Sequence, residues 1–537
     1  MDRIFHSGRI LLTSRSGSEV KVSEFEAFAV SHGRVTALGT NEEISKLRSS
    51  DTVMHDFNGK TVLPGFIETH MHVSNFGAFL TQVNCRPSAA PTIQHIQQAV
   101  RAEVAKKSPG QWILGFGWDE GRMREGHGPT REDLDAVAPD NPVFLRRTCG
   151  HMGVANSRAL DISGITEETP DPPGGCLVRD GGGRLTGLVQ EKAKGLIKDP
   201  PLTSAEIEDG LAKAQHELLA WGITTAHDLN TQARHFRVMS ELNAAGNLNL
   251  RLRPWMWAID GNGYCGVLDQ FVAGGIVSGF GDDRLRIQGM KFMLDGSVGG
   301  LTAAVAEPYV GTDELGILIM DKAEALPPVL KAIRGGLRAA IHGIGDRAVE
   351  VATTVLEAAA KEEPQVADMR CRVEHCALPS EADLDRMSRL GAIAGSSVGF
   401  LHQMGDRYLE VLGKDRMARV YPQRTFLEHG IVSPPNSDCP VTDANPWHVI
   451  SAAVTRTSET GTVLDTAQNL SLAEAIHGMT VEAAHASFEE QSLGTLTPGA
   501  HADFIVFDSN PYEVKEAQLS ELRAIQTYVA GELKFQR

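Results

Sequence analysis

No stretch of this chain is apolar for the roughly 18 or more consecutive residues that a membrane-spanning helix requires, so a bilayer-spanning helix is excluded. Cysteine is scarce. The seven present are odd in number and form no C-x-x-C pair, which rules out a disulfide framework and fits a reducing compartment. Positive charge is also in deficit, with 51 Lys and Arg against 68 Asp and Glu and a formal charge of −17. Nucleic acid and anionic membranes are bound by clustered Lys and Arg, so neither is expected as a partner and a small-molecule substrate is. The opening MDRIFHSGRILLTSRSG has only a short apolar core and no small-residue cleavage site, from which a cytoplasmic protein is expected. A homodimer is compatible with this composition.

What is present is ordinary globular material, 537 residues of which 42% are hydrophobic and 22% charged, enough for a large core with accessory units. Both ends read as short strands joined by turns: RIFHSGRILL, FEAFAVSHGRVTALG and TVMHDFNGK near the start, LGTLTPGAHADFIVFD and AIQTYVAGELKF near the end. Neither end carries a core of its own. Residues 1–59 and 489–537 are therefore expected to meet in one small β-rich domain, with antiparallel hairpins at the N-terminal end. Between them, apolar strand-like runs alternate with amphipathic stretches such as SAEIEDGLAKAQHELLAWG, RAVEVATTVLEAAAK and PSEADLDRMSRLG. The runs are TVLPGFIETHMH, WGITTAHDL, LRLRPWMWAID, RIQGMKFMLDG, RAAIHGIG, RCRVEHCAL, AIAGSSVGF and IVSPPNSDC. Eight strand–helix units imply a closed (β/α)8 barrel, with residues 60–73 as its first strand, residues 201–488 as the remainder and reactive groups on the C-terminal rim. The gap between the first two runs is too long for a βα connection. Residues 74–200 are read as an inserted cap.

The chemistry concentrates where the runs end. His70 and His72 alternate along an extended segment and share a face, although with 19 histidines in 537 residues chance alone supplies roughly 0.7 His-x-His pairs. Support comes from Lys291 in the fourth run, His342 ending the fifth, His375 the sixth and Asp438 the eighth. A lone histidine at a strand end is ordinarily a satisfied polar residue. Several converging on one rim, with Asp438, suit a divalent metal, zinc above all, in a catalytic site. Neutral imidazoles leave the ion's charge mostly uncompensated, so a water beside it loses a proton near pH 7. Asp438 is placed to take that proton and return it to a leaving amine, and its bland alternative is to cap the turn before Pro440. In the expected cap, Trp112, Phe116 and Trp118 lie in QWILGFGWDE. With Trp255 and Trp257 of the third run they form either an apolar substrate wall or plain core. Trp118, Trp257, His151 and Asp295 are the expected substrate-facing residues, His151 as a polariser of a substrate carbonyl or, equally, as a helix-start or core residue. His227 and Asp228 are expected to support the metal ligands from behind.

The phrases LPGFIETHMH (63–72), KFMLDGSVG (291–299), HGIGDRA (342–348), RVEHC (372–376), SDCPV (437–441) and LGTLTPGAHADFIVFD (493–508) resemble, as a set, the amidohydrolase superfamily of metal-dependent hydrolases. GFGWDE (115–120), PTREDLD (129–135) and GHMGVANSRAL (150–160) extend the likeness to the branch of N-substituted formamide deformylases and exoenzyme regulatory proteins. The resemblance implies a distorted TIM-like barrel with a β-sandwich, one or two divalent ions, and hydrolysis of amide-like C–N bonds. His70, His72, His342, His375 and Asp438 match the family's metal residues. Lys291 matches a lysine that can be carboxylated to bridge two ions, its alternatives being a solvated lysine or a simple ion pair with Asp295. Cys439 departs from the aromatic residue often found there, which leaves substrate preference open. A deaminase of heterocyclic C=N centres and a non-catalytic barrel regulator are the competing readings; Lys291 speaks against the first, the full set of metal-capable residues against the second.

Overall fold

The computed structural model describes residues 2–17, 19–148, 150, 152–173, 175–261 and 264–537. These form two compact units, residues 1–73 with 215–537, and residues 74–214. The insertion therefore runs fourteen or so residues beyond the expected limit at 200, into a helix at Ser204–Ala220.

In the larger unit, seven parallel strands stand side by side in chain order: β1 (Phe66–Met71), β2 (Ile223–Thr231), β3 (Arg251–Trp257), β4 (Gly289–Met293), β5 (Arg338–Gly343), β6 (Arg372–His375) and β7 (Ile393–Ser396). All their residues but the last of β4 are buried, as expected for a parallel sheet covered by helices. Helices Lys322–Arg334, Asp346–Glu362 and Glu381–Arg389 pack Val329, Ile333, Val349, Val355 and Leu384 against Met290, Phe292, Ile341 and Val373. Capping boxes at Asp321/Glu324 and Ser380/Asp383 satisfy the first free N–H groups of two of these helices.

The eighth run departs from expectation. IVSPPNSDC is not a strand, because Pro434 and Pro435 have no N–H to give a ladder. It still spans the gap between β7 and β1 by single backbone bonds: Ala394 N–H to Val432 O at 3.1 Å, Asn436 N–H to Ser396 O at 3.0 Å, Asp438 N–H to His70 O at 2.9 Å and His72 N–H to Cys439 O at 2.7 Å. The first run is also two strands. Thr61–Pro64 joins an antiparallel pairing with Phe504–Phe507, and the chain turns into β1 at Gly65, where a Cβ would lie 2.2 Å from Thr224 Oγ1.

At the chain ends, one sheet holds residues 3–6, 27–31, 34–39 and 53–56, and a second holds 9–16, 19–25, 61–64, 504–507, 526–529 and 532–536. They share a core in which Phe5 contacts Phe28 at 5.0 Å between ring centroids and Phe504 at 4.9 Å. FEAFAVSHGRVTALG forms the expected antiparallel hairpin, Ala27–Ser31 with Arg34–Gly39, but the expectation fails for RIFHSGRILL. RIFH and RILLTSRS lie in different sheets, and each has a parallel partner, Val53–Asp56 and Thr61–Pro64 respectively.

The inserted unit has its own six-stranded sheet, in the order 175–179, 185–191, 152–155, 143–147, 113–118, 83–84. Its core gathers Ile96, Val100, Ile113, Trp118, Leu134 and Leu145.

Candidate metal centre

β1 delivers His70 at its end and His72 just beyond it, while the irregular eighth segment delivers Asp438 from across the seam. The three residues present ligand atoms within 4.8 Å of one another. Asp438 Oδ1 lies 3.4 Å from His70 Nε2 and 2.9 Å from His72 Nε2. Two atoms bound at about 2.0–2.1 Å to a tetrahedral ion are about 3.3 Å apart, so these spacings fit a shared cation. The hydrogen bonding points the same way, because His70 Nε2 is buried without a hydrogen-bond partner and faces Asp438 Oδ1. A buried orphaned acceptor facing a carboxylate oxygen is costly unless a cation or water lies between them.

The tautomer of His70 follows from its other nitrogen. Glu374 Oε2 lies 2.5 Å from His70 Nδ1, so the ring proton sits on Nδ1 and the Nε2 lone pair faces the cluster. Glu374 is in turn held by Arg372, whose Nε is 2.6 Å from Oε1 and whose Nη2 donates to Oε2 at 2.9 Å. Burial alone would raise the Glu374 carboxyl; Arg372 and His70 outweigh it and hold the group well below the usual carboxylate range. Gly395 on β7 makes the room, since a Cβ there would come within 2.3 Å of Glu374 Oε2. Burial, then the charge of Lys291, pushes His70 down to about 4, which keeps its imidazole neutral as a ligand must be.

His375 joins by a similar logic. Its Nδ1 lies 2.8 Å from Ser397 Oγ, and that hydroxyl donates to Asn436 Oδ1 at 2.7 Å. The hydroxyl is left to accept from Nδ1–H, so the lone pair of His375 is on Nε2. Its ring lies 4.6 Å from that of His70 and 4.3 Å from that of His342, centroid to centroid. Burial, then the neighbouring imidazoles, sets His375 well below the ordinary histidine value. His375 and Asp438 both hold left-handed backbone, φ 64° and 52°, an uncommon state for residues with a Cβ. His342 turns its Nε2 toward Gly296 O at 3.1 Å and Asp295 Oδ1 at 3.3 Å and stands outside the three-residue cluster.

Lys291 is buried, in register with Trp257 on β3 and Ala340 on β5. Burial pulls its amine down to about 8 against the opposing charges of Glu374 and Asp438. Asp438 is lowered despite burial by His72, His70 and Lys291. Asp295 is taken up by backbone: Ile344 N–H reaches Oδ1 at 3.1 Å, and Ala304 and Gly345 N–H reach Oδ2 at 2.9 and 2.8 Å.

The remaining expected residues lie elsewhere. His227 is fully buried, its Nδ1 receiving the Trp255 indole N–H at 3.2 Å and facing Arg372 Nη1 at 3.5 Å; Asp228 accepts from Thr231 Oγ1 at 2.8 Å. Trp257 sits edge-on to Tyr264 at 5.3 Å, its indole N–H buried and unpartnered. Trp118 is 2% exposed in the core of the inserted unit and donates to Leu145 O at 2.9 Å. His151 lies outside the described residues. Sequence reasoning passed over Glu68, Arg372 and Glu374, although a charged residue inside a fully buried strand signals a partner.

A family model described as "Amidohydrolase family" matches residues 54–535. YtcJ of Bacillus subtilis (strain 168) is 29% identical over 553 residues, covering 100% of both chains. N-substituted formamide deformylase of Arthrobacter pascens is 28% identical over 527 residues, 95% of each. Among solved structures, a metal-dependent hydrolase from Pyrococcus horikoshii OT3 superposes with a TM-score of 0.79 at 28% identity, covering 96% of this chain and 99% of its own. The chain belongs to the amidohydrolase family. It is a hydrolase acting on carbon–nitrogen bonds, on a nearly closed parallel barrel. Among the described residues no helix is long and apolar enough to cross a membrane.

Proposed function

We propose that the protein hydrolyses the N-formyl or N-acyl bond of a small, partly apolar amine. The observation that carries this reading is the convergence of His70 Nε2, His72 Nε2 and Asp438 Oδ1, whose spacing suits one ion. The relative named N-substituted formamide deformylase supplies the bond type. Zinc is the favoured ion for imidazole and carboxylate donors, and it would bring a Lewis acid and an activated water to this spot. Asp438, held ionised, accepts the proton of the attacking water and passes it to the leaving amine. His70 and His375 stay neutral and oriented through Glu374 and Ser397. Lys291, neutral in part near pH 8, is the site for carboxylation and a second ion with His342 and His375. The inserted unit, residues 74–214, is proposed to carry specificity, since it interrupts the barrel directly after His72.

The test is formate or acid release from a panel of N-formyl and N-acyl amines, with aminated heterocycles alongside. Release of formate dependent on metal supports the reading. Ammonia from the heterocycles with no amide turnover would replace it with a deaminase.

A further inference from the structure

We infer that Glu68 is a positioning residue that holds Asp438 in its ligating place, an inference that rests on the metal site proposed above. Glu68 lies two residues before His70 on β1 and is 1% exposed. Its Oε1 accepts the His70 backbone N–H at 3.0 Å. Its Oε2 accepts both the Ser437 N–H at 3.2 Å and the Ser437 hydroxyl at 2.8 Å. That hydroxyl in turn accepts the Cys439 N–H at 3.1 Å. The residues on both sides of Asp438 are thus tied to one carboxylate, directly at 437 and through the hydroxyl at 439.

Asp438 needs such a tether. Its φ of 52° is left-handed, which a residue with a Cβ adopts only where the surroundings fix it. The segment that carries it lacks a strand ladder, with Pro434 and Pro435 just upstream. The same carboxylate grips the strand that bears His70 and His72, so Glu68 sets the distance across the seam between the histidines and the aspartate.

All three groups that reach Glu68 are donors. A glutamine offers one acceptor oxygen and one NH2, so Glu68→Gln turns the NH2 against either the His70 N–H or the Ser437 N–H and breaks one side of the clamp. The wild-type, Glu68→Gln, Ser437→Ala and Asp438→Ala proteins, with the Glu68→Gln/Asp438→Ala and Ser437→Ala/Asp438→Ala double variants, are stripped of metal and titrated with zinc against a chromophoric chelator. Glu68→Gln should weaken zinc binding about tenfold or more, the scale on which outer partners of metal ligands act, and Ser437→Ala should weaken it less. In the Asp438→Ala background, where no ligating oxygen remains at 438, both effects should shrink below about twofold, because a residue acting through Asp438 has nothing left to position. A general structural role would give the same loss in both backgrounds, and additive effects overturn the inference. So does unchanged affinity in Glu68→Gln. Should that variant fail to fold, the Ser437→Ala cycle decides by the same criterion. A wild-type protein that binds no zinc would defeat the metal site itself, a separate outcome.

Discussion

Replacing Glu374 with Gln tests how the metal centre is built. The carboxylate stands between the Arg372 guanidinium, 2.6 Å away, and His70 Nδ1, 2.5 Å away, with both Glu374 and Arg372 fully buried. Removing one member of a buried ion pair costs about 3–5 kcal/mol, because the other charge is left stranded. The lower end is expected, since the amide oxygen still accepts from Arg372 and the guanidinium keeps Thr69 O at 3.0 Å and the face of Trp255 at 5.3 Å. With the oxygen toward Arg372, the amide NH2 faces His70 Nδ1. That nitrogen must then accept, its proton moves to Nε2, and the lone pair offered to metal is lost. Zinc affinity should fall about 10–100-fold. Chemical denaturation and chelator competition read the two effects separately. In Arg372→Met/Glu374→Leu, stability should largely return, as apolar replacement of a buried pair permits, while zinc affinity stays low. The pH dependence has a fixed sign. Glu374 is depressed in the folded state, so its contribution is present above the unfolded carboxylate value of about 4.3 and is lost as pH falls below it. The Gln variant should lose less stability than wild type between about pH 5 and 3. Unfolding within about 1 kcal/mol of wild type together with unchanged zinc affinity would refute this reasoning.

Asp438→Asn should lose about 10²–10⁴-fold in kcat while keeping much of its metal, the range for a general acid–base group; parallel loss of metal and activity would leave Asp438 a ligand only. Lys291→Met should reduce the number of ions held per chain, and bicarbonate near pH 8 should raise the activity of metal-loaded wild type but not of the variant, because the neutral amine is what reacts with carbon dioxide; intact mass at that pH checks the modification. Trp118→Ala should destabilise the protein by about 3–5 kcal/mol, the cost of emptying a core tryptophan site, read by denaturation. A variant of normal stability that discriminates only against bulky substrates would instead return Trp118 to a substrate wall.

Much of the barrel is legible because buried parallel strands are near-continuous apolar runs and their helices show apolar residues at three- and four-residue spacing. The metal-capable residues are legible because chemistry on such a barrel gathers at strand ends. Other features depend on tertiary partners. TVLPGFIETH reads as one strand, yet Gly65 passes so close to Thr224 that the chain divides between two sheets there. IVSPPNSDC reads as a strand by its place in the alternation, and the two prolines that prevent it are visible in the sequence. The neighbouring runs RIFH and RILLTSRS look like hairpin partners, but partner choice is set by Val53–Asp56 and Thr61–Pro64, far along the chain. Glu68, Arg372 and Glu374 sit at buried positions of β1 and β6. Their spacing from His70 and His375 was the available signal, and only the fold shows which charge meets which ring.

The central claim is that His70, His72 and Asp438 hold a divalent ion that the hydrolysis requires. The most direct measurement is elemental analysis of the purified protein beside His70→Ala/His72→Ala, with formate release from an N-formyl amine followed in both. The account predicts at least one divalent ion per wild-type chain and turnover lost on chelation, with a folded double variant that holds less metal and is inactive. A double variant with full metal content, or with undiminished hydrolysis, would contradict it.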